Sequence, residues 1–173
     1  MVSAANLVDE TGLVLEIVTM DIEQLLRDLS SSDAYPHSVE RIQTAQTHIS
    51  LVLLTGRWAY KIKKPVNFGF VDFTDLRKRK HFCEEEVRLN RRLAPSVYLG
   101  VVPVRLEGNR ATFAGKGEII DYAVKMIQLP DDAMLSHYLH VGEIEEGLIE
   151  RLAQRLATFH KEAGRQDPSH FGS

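Results

Sequence analysis

The sequence predicts an α+β fold in two lobes: an antiparallel sheet crossed by one long helix, followed by a helical segment. Three observations predict it. ERIQTAQTHIS, SLVLLTG and WAYKIK read as three successive strands, with Thr55-Gly56-Arg57 as a hairpin turn. A capped helical stretch, Leu76 to Leu93, follows them, and strands resume after it. Beyond Pro130 the periodicity is helical to the end of the readable pattern.

Each element has a local reason. Residues 1–18 show no clear period and read as a ragged arm. Asp21 or Thr19 caps a short helix, Ile22 to Leu29. SSSDAYPHS is a loop by composition. PVNFGFVDF, with Pro65 and Gly69, reads as irregular. Thr74 or Asp75 caps the long helix, and Ala94-Pro95 stops it. YLGVVPVRL and RATFA are strands around the turn Glu107-Gly108-Asn109, and EIIDYAVKMIQL is a further strand, ended by Pro130-Asp131-Asp132. A short helix from Ala133 to Leu139 precedes a last helix from about Glu143 to Ala163, whose stripe is Ile144, Leu148, Ile149, Leu152, Leu156 and Phe159. GRQDPSHFGS carries no recognisable element. The expected organisation is therefore an arm and short helix over 1–33, a sheet lobe over 34–128 and the start of a helical lobe over 129–173.

Composition narrows the class. The 173 residues are 44% hydrophobic and 26% charged, ordinary for a soluble domain. The single cysteine, Cys83, forms no internal disulfide and fits a reducing compartment. No apolar run approaches the roughly 20 residues of a membrane helix, and the acidic start lacks the basic region of a signal peptide. A cytoplasmic protein is expected. Net charge is −3, but Arg57 to Arg92 holds 11 Lys/Arg against 5 Asp/Glu, a local +6 that leaves the rest at −9. That points to an anionic ligand or to a solvated helix face. The run Arg77 to Lys80 lacks the interleaved aromatics of a nucleic-acid surface and reads as such a face, so nucleic acid is not the expected partner. The scattered histidines show no metal-ligand spacing, and no metal site is expected.

The long helix carries the sharpest signal. At about 100° per residue with Phe82 at the origin, Leu89 and Leu93 fall within about 20° of it, Cys83 at about 100° and Val87 at about 140°, and Glu86 falls at about 40°, inside that apolar stripe. Glu84 and Glu85 fall outside this apolar stripe. One carboxylate of the run EEE therefore points toward the sheet and needs a cationic partner. On the third strand Trp58, Tyr60 and Ile62 share one face, and Ala59, Lys61 and Lys63 the other. Lys61 or Lys63 paired with Glu86 would present an ammonium to a phosphate. In the plainer reading these lysines guard an exposed sheet edge, and Glu86 sits at a wet margin with Asn90 or a surface arginine.

WAYK followed by a helix with an inward Glu resembles the Val-Ala-Ile-Lys strand and partner helix of protein-kinase-like enzymes. EEEVRLNRRLAP, with Glu86, Leu89 and Leu93, resembles the corresponding helix of aminoglycoside-phosphotransferase-like proteins. DYAVKMIQLP resembles their last small-lobe strand and hinge, and RLAQRLATFHKEA the helix that precedes their catalytic loop. The ordered set THIS, AYKIKKPVNFGFVDF, HFCEEEVRLNRRLAP, YLGVVPV and YAVKM is similar to one bacterial family of this type, often fused to a C-terminal P-loop ATPase or kinase domain.

The resemblance implies a kinase-like small lobe, a hinge and the first helices of the large lobe. It implies ATP as cofactor, with Mg bound by ligands outside this chain, and a small-molecule hydroxyl as phosphoryl acceptor. By position Lys61 would meet the phosphates and pair with Glu86, with Lys63 as the competing phosphate lysine. Ala59 would lie against adenine, and Met126, Ile127 and Gln128 would form the hinge. The turn from Thr47 to Ser50, with His48, would cover the phosphates. Two departures stand out. QTHIS replaces a G-x-G-x-x-G loop, and no His-Gly-Asp, His-Arg-Asp or Asp-Phe-Gly occurs, so catalytic residues are expected outside this chain. A non-catalytic, pseudokinase-like interaction module is the alternative expectation.

Overall fold

The computed structural model of the protein describes residues 2–8, 14–142 and 144–163, with side chains described from residue 21 onward. The chain forms two compact units, Met1–Gln128 and Leu129–Ser173.

The first unit is α+β. Strands β1 (Val2–Val8) and β2 (Val14–Met20) form a two-stranded antiparallel sheet, with Val2 opposite Met20 and Val8 opposite Val14. The expectation of a ragged arm is corrected here: the two segments satisfy each other's backbone groups, which outweighs the lack of a clear side-chain period. The predicted helix follows as α1 (Ile22–Leu29), with Asp21 accepting from the Glu23 amide. The predicted loop after it contains a 3-10 turn, Ser32–Ala34.

A six-stranded antiparallel sheet is the body of this unit. Its strands are β3 (Gln43–Gln46), β4 (Ser50–Leu54), β5 (Trp58–Lys63), β6 (Tyr98–Glu107), β7 (Arg110–Thr112) and β8 (Glu118–Ile127). They lie in the order β3-β4-β5-β8-β6-β7. The three-strand beginning is as expected, except that the first strand is only four residues long. Its wholly exposed QTAQ is polar, as suits a sheet edge. Pro103 sits in β6 where β7, which pairs only from Arg105 to Glu107, leaves that edge open, so its missing amide costs no ladder bond.

Because β5 lies between β4 and β8, Lys61 and Lys63 are on an interior strand. The edge-guarding reading of these lysines is therefore corrected. The sheet's two faces differ. Tyr60 and Ile62 pack with Leu25 and Leu29 of α1, Tyr35, Leu51, Leu53 and Val104 in the larger core. Full burial of one such leucine contributes about 1.5–3 kcal/mol. Tyr35 spends its hydroxyl on the Leu29 carbonyl at 2.7 Å.

The other face carries α2 (Leu76–Asn90), started by Asp75, whose carboxylate accepts from the Arg77 and Lys78 amides. A smaller cluster of Cys83, Val87 and Val124 lies beneath it, flanked by Tyr98, Val101, Tyr122 and Met126. Here the helical wheel needs correction. Phe82, Leu89 and Leu93 are 36%, 44% and 42% exposed, while Arg79, Cys83 and Val87 are buried. The inward face is the Cys83–Val87 half of the expected stripe together with Arg79, the half formed by Phe82, Leu89 and Leu93 is exposed, and Glu86 lies at the rim between them. Arg79 is correspondingly no part of a solvated run. Its guanidinium bonds Asp121 of β8 from Nε at 2.9 and 3.1 Å and donates through Nη1 to the Phe73 and Thr74 carbonyls.

The second unit holds a 3-10 turn (Asp131–Ala133), α3 (Leu135–Val141) and α4 (Leu148–Glu162). Position 143 and the segment from Gly164 to Ser173 lie outside the described residues. The last helix is corrected to a start at Leu148, since Gly147 before it takes the left-handed φ of 78° and Ile144 lies ahead of the helix rather than on its stripe. No residue of α4 is buried, and its stripe residues Ile149, Leu152 and Leu156 are exposed. Among the described residues no helix is long and apolar enough to cross a membrane.

Candidate functional site

Alternation along β5 aims Lys61 and Lys63 at the α2 side of the sheet, and the capped start of α2 fixes where Glu86 meets them. Both lysines reach the same carboxylate. Lys61 Nζ donates to Glu86 Oε1 and Lys63 Nζ to Oε2, each at 2.8 Å. The side chains are 31%, 8% and 13% exposed for Lys61, Lys63 and Glu86. Burial alone would raise the Glu86 carboxyl, but the hydrogen bonds and charges of Lys61 and Lys63 hold it below its ordinary value. The neighbours behave as the helix geometry requires: Glu84 pairs with Lys80 and Glu85 with Arg88 on the outer surface. Asn90 donates to the Glu86 main-chain carbonyl while the carboxylate pairs with the two lysines, so the expected Asn90 or arginine partner of a Glu86 at the margin is corrected.

A cavity of about 870 Å³ opens beside this cluster. Lys61 and Glu86 line one part of it, Val52, Tyr98 and Met126 another. The turn between β3 and β4 lines a third with Thr47, His48, Ile49 and Ser50. That turn is held closed by its own atoms and by the Lys64 amide. Thr47 Oγ1 accepts from the Ser50 amide at 3.0 Å, the Thr47 amide donates to the Ser50 carbonyl, and Lys64 N donates to the Ile49 carbonyl. Phe68 and Phe70 complete the lining. Their segment, expected to be irregular, is a small hairpin: Asn67 bridges Asp72, Phe68 N donates to Val71 O, and Gly69 takes the left-handed φ of 80° that the turn needs. The two rings stack at 6.2 Å, and Phe70 is 82% exposed.

Of the residues singled out in the sequence, Lys61, Glu86, His48, Ser50 and Met126 meet in this cavity. Four others do not line it. Lys63 lies behind Glu86, its ammonium 5.0 Å from the Phe73 ring centre. Ala59 is buried opposite Met126 in the β5–β8 ladder. The Ile127 amide is donated to Val97 O and the Gln128 amide to Arg57 O, and Gln128 Oε1 accepts from Gly56 N at 2.9 Å. Those two amides are thus spent inside the protein and are not available to read a base edge.

The sequence reasoning missed Val52, Tyr98, Phe68 and Phe70 as cavity walls and the Arg79–Asp121 pair as an anchor. Arg79 had a legible signal, since on the same wheel it falls about 20° from Glu86. Burial pushes the Asp121 carboxyl above its ordinary value, opposed by the Arg79 charge and hydrogen bonds and by the Tyr122 amide. Among the described residues no group of three or more His, Cys, Asp or Glu is placed to hold a metal ion.

Compared with known proteins, the chain matches no family model and no solved structure. It is 34% identical over 134 residues to an uncharacterized protein of Mycobacterium bovis and, equally, to uncharacterized proteins of two Mycobacterium tuberculosis strains. The alignment covers 77% of this chain and 25% of each relative. The chain spans about a quarter of the length of the curated relatives it matches.

Proposed function

We propose that this chain is the nucleotide-binding part of an aminoglycoside-phosphotransferase-like enzyme, with a kinase-like small lobe in its first unit. The single observation that carries the reading is the Lys61–Glu86 ion pair on the wall of the 870 Å³ cavity. A strand lysine oriented by a helix glutamate is the arrangement that presents an ammonium to the α- and β-phosphates of ATP. Of the two lysines Lys61 is the phosphate ligand in this reading, because it lines the cavity and Lys63 does not.

The remaining lining fits the rest of a nucleotide. Val52, Tyr98 and Met126 offer apolar and aromatic surface for a base, and the turn from Thr47 to Ser50 stands beside the lysine where phosphates would lie. Magnesium, the catalytic carboxylate and the site for a small-molecule hydroxyl acceptor belong, in this proposal, to residues beyond those described, in a longer protein of the relatives' kind. A C-terminal P-loop domain would be part of that longer protein, and the cytoplasm its compartment.

The test is calorimetric titration of the chain with ATP and magnesium, repeated on Lys61→Ala. Wild type binds, and the variant binds about tenfold or more weakly, the loss expected when a charged hydrogen-bond partner is removed. No binding by a folded wild-type chain, or equal affinity in Lys61→Ala, overturns the proposal.

A second reading, a non-catalytic interaction module, draws on α4, whose apolar stripe Ile149, Leu152 and Leu156 is exposed. It predicts a stable dimer on gel filtration and no change in melting temperature with ATP.

A further inference from the structure

Two ammonium groups meet one carboxylate at the cavity wall, so the cluster holds one positive charge in excess. The two lysines are not equivalent. Lys63 is 8% exposed and packs over Phe73, where an ammonium has little access to water to replace a lost partner. Lys61 is 31% exposed and faces the cavity. Each takes its own oxygen of Glu86, so neither needs the other to move for its bond to persist.

We propose that Lys63 is the standing counter-ion of Glu86, a positioning residue that leaves the Lys61 ammonium free to meet an anionic ligand with its full charge. For the ligand, this inference rests on the nucleotide reading above. With a single lysine, Glu86 and a phosphate would compete for one ammonium. With two, the carboxylate stays neutralised from behind while Lys61 turns to the cavity, and the helix stays tied to the strand with or without ligand.

The other charged and titratable groups nearby do not take over this role. Cys83, on the same inward face, is held as a neutral thiol by burial, its pKa pushed up to about 12. Asp121 is engaged by Arg79 from the helix and does not draw on the lysines. Lys80, Glu84, Glu85 and Arg88 pair among themselves on the outer surface.

The first arm of the test needs no ligand. The Glu86 carboxyl is titrated by carbon NMR in wild type and in Lys61→Met. With Lys63 as counter-ion, Glu86 stays below its ordinary value of 4.5 in Lys61→Met. A rise above that value overturns the inference, because the pairing would then have depended on Lys61. The second arm titrates ATP and, separately, inorganic tripolyphosphate into Lys63→Met, Lys63→Arg and Lys63→Met/Glu86→Gln. Lys63→Met lowers affinity about tenfold, Lys63→Arg keeps it, and the added Glu86→Gln restores it, because the neutral amide oxygen still accepts from Lys61 and orients it without competing for its charge. A loss that Glu86→Gln fails to restore marks a merely structural lysine and overturns the inference. If wild type binds neither anion while Glu86 stays low in Lys61→Met, the nucleotide reading falls alone and the counter-ion assignment stands.

Discussion

Arg79→Met tests the other half of the helix attachment. The arginine is 4% and its partner Asp121 10% exposed at the side chain. The substitution removes two bonds to the carboxylate, at 2.9 and 3.1 Å, and the donor to the Phe73 and Thr74 carbonyls at 3.0 and 3.2 Å. Methionine keeps most of the aliphatic volume, so the loss is electrostatic rather than a cavity. Asp121 is left buried with the Tyr122 amide as its remaining hydrogen-bond donor. Breaking a buried pair from one side costs about 3–5 kcal/mol, against about 5–15 kcal/mol for a whole domain. With a urea slope of about 2 kcal/mol per molar, the midpoint falls by about 2 M.

The same variant has a signed pH dependence. Burial raises the Asp121 carboxyl above its ordinary 3.8, and Arg79 opposes that rise. Without Arg79 it rises further. A carboxyl with a raised folded pKa binds more protons folded than unfolded, so stability is gained as pH falls through the folded value and lost as it rises. The deficit of Arg79→Met is therefore largest at about neutral pH and shrinks toward about pH 4. Urea unfolding followed by circular dichroism at several pH values measures both. A deficit below about 1 kcal/mol at neutral pH, or one that does not change with pH, refutes the reasoning.

Asp75→Ala removes the acceptor for the Arg77 and Lys78 amides and should cost about 1 kcal/mol in urea unfolding, with Asp75→Asn losing much less. Equal losses would show that charge, not capping, matters there. The Cys83 thiol is fully buried, and burial pushes its pKa up to about 12. A thiol reagent at mildly alkaline pH should therefore label the native chain only as fast as it opens, and labelling as fast as in urea would contradict the packing. Phe70→Ser, at a ring 82% exposed, should change stability by less than about 0.5 kcal/mol. In the nucleotide reading it weakens ATP binding severalfold, and an unchanged titration would show that the ring does not touch the ligand.

What the sequence made legible was local. The hairpin into β5, the Asp75 cap and the single inward carboxylate of the EEE run each follow from neighbouring residues. The facing of α2 did not. Of the stripe read from the wheel, Cys83 and Val87 are buried with Arg79 beside them, while Phe82, Leu89 and Leu93 are exposed, because partners on β5 and β8 favour the polar residues there. Asp121 lies 42 residues from Arg79, beyond the reach of any periodicity, whereas the lysines 25 and 23 residues from Glu86 are legible as candidates from strand alternation, without showing which of them lines a cavity. The cavity has the same origin. Val52, Phe70, Glu86 and Met126 come from four separate segments, and only the order β4-β5-β8 and the seat of α2 gather them.

The inward face of α2 is poor in apolar contact for a helix of 15 residues: its buried side chains are Arg79, Cys83 and Val87. Apolar packing tolerates small slides, whereas an ion pair satisfied by several bonds at about 3 Å does not. Arg79 ties the first half of the helix to β8, and Glu86 ties the second half to two positions of β5. Two polar anchors about 10 Å apart along the helix, on different strands, fix both its height and its rotation over the sheet. The orientation of Lys61 beside the cavity is therefore set partly by Asp121, which does not line it. The Arg79→Met variant should loosen the Lys61–Glu86 geometry as well as the fold, so that, at urea concentrations where it remains folded, its ATP affinity falls in the nucleotide reading although no cavity residue has changed. An affinity equal to wild type under those conditions would show that the β5 contacts alone hold the helix in place.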